Sequence, residues 1–76
     1  MRTISQIPIN KKAKICAIHD QSIAQKLYSM GILPNYMIEV KRKTLNGNTF
    51  FLNINNHHNI AIRKDEAQYI IVEEQD

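Results

Sequence analysis

Residues 36–54 read YMIEVKRKTLNGNTFFLNI, and the fold class turns on this run. Tyr36, Ile38 and Val40 alternate with Met37, Glu39 and Lys41, the period of a strand with one buried face. Phe50, Leu52 and Ile54 repeat the alternation after Leu45-Asn46-Gly47-Asn48, where Asn-Gly is a strong hairpin-turn signal. Two such strands place their apolar halves on one side of a sheet. The same parity turns Phe51 outward wherever Phe50 turns inward.

Upstream, residues 13–19 (AKICAIH) form the first convincing strand. Asp20 is placed to cap a helix running to about Met30, along which Ile23, Leu27 and Met30 recur at i, i+4 and i+7. Gly31 then supplies a left-handed stop, and Pro34 cannot continue the helix. Before the first strand, Ile4 and Ile7 ahead of Pro8 read as a short turn that docks two apolar residues. Downstream, 55–59 (NNHHN) is a polar turn, and Ile60/Ile62 open a fourth strand ending at Arg63. Lys64 to Gln68 makes about one turn, and 69–73 (YIIVE) is the last strand. About five short strands with one helix give a mainly β protein, a small and strongly bent sheet or barrel. Closure hides the edges that a chain of 76 residues can hardly cover otherwise.

Composition agrees. Thirteen Ile favour a pleated surface, and eight Asn against two Gly assign some left-handed turn positions, Asn10 among them, to Asn. Area scaling for 8.8 kDa leaves roughly 4,800 Å² exposed after folding, enough for one core and a single domain over residues 1–76. One Cys closes no intrachain disulfide, which favours a reducing compartment. The start MRTISQIPINKKAK lacks an apolar secretory core, and no window approaches the roughly 20 apolar residues of a membrane helix. A cytoplasmic protein, not membrane-inserted, is expected. Residues 1–64 carry ten Lys/Arg and two acids (+8), whereas 65–76 carry five acids and no base (−5). That asymmetry suits an oriented encounter with a charged partner, or simply solubility.

Leu27-x-x-Met30-Gly31-Ile32-x-Pro34 before the alternating strand, and Ile60-Ala61-Ile62-Arg63-Lys64-Asp65-Glu66-Ala67 before the final β run, resemble the FeoA family over roughly residues 4–74. The resemblance implies an SH3-like barrel and an accessory role in ferrous iron uptake. It also implies a partner, the cytosolic G-protein domain of a FeoB-type permease. Asn35 stands where the family usually has Gly, the hairpin tip keeps only Gly47 of the usual pattern, and the turn at 55–59 lacks its glycine. The same barrel occurs in iron-dependent repressors, but no DNA-binding helices accompany it in this sequence.

For docking, the residues singled out are Phe51 as an outward aromatic, Lys41 and Lys43 as steering charges, and Met30 and Leu33 on the apolar turn. Each has a plainer account: oligomer packing over Phe51, charges that blunt an edge strand, and core for Met30 and Ile32. His57 and His58 are the metal candidates, with Cys16 and His19 behind them. Adjacent His residues diverge unless a turn folds them together, and no carboxylate lies close in sequence. Cys16 is expected as a small buried residue and the His pair as a solvated turn, so no cofactor is expected. Asp65-Glu66 and Glu73-Glu74 read as solvated acids, and Arg63 at a strand end as structural. No nucleophile lies beside a base, so a binding module and not an enzyme is expected. Nucleic-acid binding by a small basic barrel is the alternative, thinly supported because few aromatics accompany the cations.

Overall fold

The computed structural model describes residues 2–75. The alternation of 36–54 becomes a hairpin of β3 (Met37–Lys43) and β4 (Thr49–Ile54), with Ile38 opposite Ile54 and Val40 opposite Leu52. Around it run β1 (Arg2–Thr3), a 3₁₀ turn (Ile4–Gln6), β2 (Lys12–Ile18), α1 (Gln21–Ser29), β5 (His58–Arg63), α2 (Lys64–Ala67) and β6 (Ile70–Glu74). Among the described residues these strands form one antiparallel sheet in the order β1-β6-β2-β3-β4-β5. The two-residue β1 raises the strand count to six. Nothing in Arg2-Thr3 itself signals a strand. Its place beside β6 follows from Ile4 and Ile7, both fully buried, which anchor the chain there.

A flat sheet is about 10 Å thick, yet the molecule measures 28 × 27 × 24 Å, so the sheet coils around its core. Two bulges help it bend, one leaving Cys16 without a register partner between Ile15 and Ala17, the other leaving Lys41 so between Val40 and Arg42. Ile15, Ile38, Val40, Leu52, Ile54 and Val72 line the concave side with at most 1% exposure. Leu27 of α1 and Ala67 of α2 close the core, with Ile23 and Met30 packed at its margin.

Asp20 caps α1 as its position predicts. Its carboxylate accepts the Ser22 and Ile23 N–H groups at 3.1 and 3.2 Å. Gly31 ends the helix at φ +85°. Asn10, Asn35, Asn55 and Asn56 all take positive φ, so the loops that lack glycine keep their turns. Cys16 differs from expectation. It is half-buried at the bulge, because the extra residue is lifted out of the regular pleat.

Candidate functional site

The bulge at Lys41 rearranges the outward face. Continued register would put Lys41 opposite Phe51 and Arg42 opposite Phe50, but the extra residue shifts the pairing so that Arg42 faces Phe51 and Lys43 faces Phe50. The Arg42 guanidinium carbon lies 4.4 Å from the Phe51 ring centroid, and Lys43 Nζ lies 5.1 Å from that of Phe50. Phe50 is buried and Phe51 half-buried, so the parity holds, with Arg42 standing over the outward ring. Lys41 is exposed and pairs with Glu39 at 3.2 Å. An open groove of about 540 Å³ runs beside these residues, lined by Lys41, Phe51, Leu52, Asn59, Ile60 and Ala61. Arg42 is the residue that periodicity misses. Three consecutive cations in a strand that otherwise alternates hint that the pleat breaks there.

The turn after α1 contributes less. Met30 packs against the core, Ile32 is fully buried and Leu33 is half-buried. The structure therefore does not join Met30 and Leu33 to the Phe51 groove. His57 and His58 are exposed, and the His58 ring stands beside Gly31, where a Cβ would lie 3.1 Å from its Nε2. Among the described residues no three His, Cys, Asp or Glu side chains come together as a metal cluster. His19 lies just past the end of β2 and donates its backbone N–H to Tyr69 O at 2.8 Å.

The acids correct the sequence picture. Glu66 is not solvated but 6% exposed. Its carboxylate accepts the Arg63 N–H at 3.0 Å and pairs with Lys26 of α1. Burial raises its pKa, but the Lys26 and Arg63 hydrogen bonds and charges outweigh burial and hold the carboxyl below the usual range. The Ser22 hydroxyl and the Ile23 N–H do the same for Asp20. Arg63 serves the structure through its backbone, while its side chain stays exposed, 3.8 Å from Asp65. The Lys26–Glu66 pair joins α1 to α2, and the Arg63 N–H on Glu66 closes the turn between β5 and α2.

The FeoA domain model matches residues 2–74. No curated protein matches. Among solved structures, the iron(II) transport protein A from Clostridium thermocellum is 30% identical, with a TM-score of 0.86 over 95% of this chain and 44% of its own. The Stenotrophomonas maltophilia FeoA complexed with zinc, described as an SH3 domain protein, is 20% identical, with a TM-score of 0.81 over 96% of this chain and 91% of its own. A manganese-dependent transcriptional repressor is 16% identical, with a TM-score of 0.89 over 97% of this chain and 36% of its own. These likenesses carry the SH3-like fold expected from sequence. No helix among the described residues is long and apolar enough to cross a membrane.

Proposed function

This chain belongs to the FeoA domain family, and we propose that it is an accessory protein of ferrous iron uptake that docks on the cytosolic G-protein domain of a FeoB-type permease. The docking face is the outward side of β3 and β4, with Phe51 as its apolar anchor, Lys41 and Arg42 as its charged rim and Lys43 at the hairpin end beside Phe50. One observation carries this choice: an aromatic ring stands on the solvent side of a barrel strand, bracketed by cations and beside an open groove. A ring there adds nothing to the core that Phe50 does not already provide, whereas half-buried aromatics beside Arg are typical binding anchors. Met30 and Leu33 form a second apolar surface, to be tested if the first fails.

Surface plasmon resonance against the purified permease domain tests the assignment. Phe51→Ala should weaken binding while circular dichroism stays native. Wild-type binding by the folded variant would exclude this face. A salt-titrated assay on random DNA and RNA addresses the nucleic-acid reading, which requires a steep loss of affinity with salt.

A further inference from the structure

β5 pairs with β4 alone and ends the described sheet. In an antiparallel ladder, facing residues alternate between pairs that exchange hydrogen bonds and pairs that do not. The Arg63 N–H is donated to Glu66 Oε1 at 3.0 Å, and the Lys64 N–H to Asn48 O at 2.9 Å. Thr49 and Arg63 are therefore a non-bonded pair, and by parity so are Phe51–Ala61 and Asn53–Asn59. The backbone N–H and C=O of Asn59 and Ala61 consequently point away from β4, along the sheet's edge. Both residues are exposed. The edge has no proline, and its pairing with β4 no register shift, so these protections against strand addition are missing.

The side chains above this edge continue the pattern. Across the outward face Ala61 stands opposite Phe51, and Phe51 opposite Arg42. Arg42 reaches over the Phe51 ring and makes no ion pair among the described residues, unlike Lys41 and Arg63. The small Ala61 lines the open groove together with Phe51, over whose ring that guanidinium stands. The Phe51 face that a nucleobase would stack on is already occupied by Arg42, so the ring and the bare ladder together favour a polypeptide.

We propose that the free edge of β5 takes up an extended acidic segment of the partner protein as an added strand. Its backbone bonds Asn59 and Ala61, and a carboxylate from the residue beside Ala61 reaches past Phe51 toward the Arg42 guanidinium. Strand addition supplies affinity through the main chain, and Arg42 selects the charge. The inference deepens the docking role above and rests on it for the partner being a protein.

The ¹⁵N-labelled full chain titrated with an acetylated, amidated peptide of alternating valine and glutamate tests it, with the valine–lysine peptide as control. Saturable shifts should centre on the Asn59 and Ala61 amides and the Arg42 Nε–H, and the lysine peptide should bind several-fold more weakly. Arg42→Gln should weaken the glutamate peptide about three- to fivefold, the scale of a partly exposed charge pair. Ala61→Pro removes an edge donor that faces away from β4, where a strand tolerates proline, so it should fold and lose the saturable shifts. If that variant does not fold, the shift map and Arg42→Gln decide. No saturable shifts at millimolar peptide, shifts centred elsewhere, or parent-like affinity in Arg42→Gln would overturn the proposal. The permease domain assayed alongside separates the two levels. Domain binding with a silent peptide sinks strand addition alone, whereas peptide binding without domain binding sinks the permease assignment alone.

Discussion

Gly31 carries two constraints at one position. Its φ of +85° is one that L side chains rarely adopt, and a Cβ would meet His58 Nε2 at 3.1 Å. Gly31→Ala should destabilise the fold by about 1–2 kcal/mol through the left-handed backbone, plus whatever moving the imidazole adds. Thermal melts in parent and His58→Ala backgrounds separate the two, because the second background removes only the contact. A cost that vanished there would mean that the ring, not the backbone, demands glycine. The Asn residues answer the same backbone demand more cheaply. The excess of Asn over Gly made those turns legible, since only a few residue types visit the left-handed region. Glu66 was not legible at this scale. Its neighbours Asp65 and Lys64 suggest a solvated turn, and only the approach of α1, about forty positions earlier in the chain, makes it a buried acceptor.

Each element holds through a few contacts of this kind. Leu27 of α1 is fully buried and Ile38 of β3 1% exposed, so Leu27→Ala and Ile38→Ala should each cost roughly 2–5 kcal/mol. A domain of 76 residues holds only about 4–11 kcal/mol, and denaturant midpoints should fall steeply in both. The Lys26–Glu66 pair ties α1 to α2 and makes that junction sensitive to acid. Because the folded-state pKa of Glu66 lies below the ordinary value of 4.5, its contribution is complete above that pH and is lost as pH falls through the lower folded value. Glu66→Gln should therefore lower the melting temperature at neutral pH, and the gap to the parent should narrow below about pH 4.5. A gap constant down to pH 3 would show that the carboxylate charge does not matter. Alternation and capping made β2 to β6 and α1 readable to within a residue or two. The bulge at Cys16 was not readable and that at Lys41 was signalled only by three consecutive cations, because an extra residue in a pleat is set by the curvature of the coiled sheet more than by its own side chain. That single slip at Lys41 moves Arg42 onto the outward face opposite Phe51, where strict alternation places Lys41 and Lys43.

Over the whole molecule, the two-ended charge pattern of the sequence does not survive folding as two poles. Glu74 pairs with Arg2, Glu73 faces Lys14 in register, and Glu66 meets Lys26, so acids of the last segment lie against cations of β1, β2 and α1. On the hairpin, Arg42 and Lys43 face aromatic rings instead of carboxylates, which leaves positive charge there without an ion pair among the described residues. Steering should therefore come from this face and anchoring from Phe51. Reversing Lys41 and Lys43 to Glu shifts the balance of residues 1–64 from +8 to +4, since each reversal removes two charges. The double variant should associate with the permease domain more slowly and with a flatter salt dependence, while its dissociation changes little. Phe51→Ala should do the opposite, raising the dissociation rate and leaving the salt slope of association intact. Rate constants at two salt concentrations distinguish these outcomes, provided circular dichroism confirms that exposing Phe50 has not loosened the barrel. An unchanged association rate in the charge-reversed protein would place the steering field elsewhere, on the cations of β2 that Glu73 and Glu74 only partly offset.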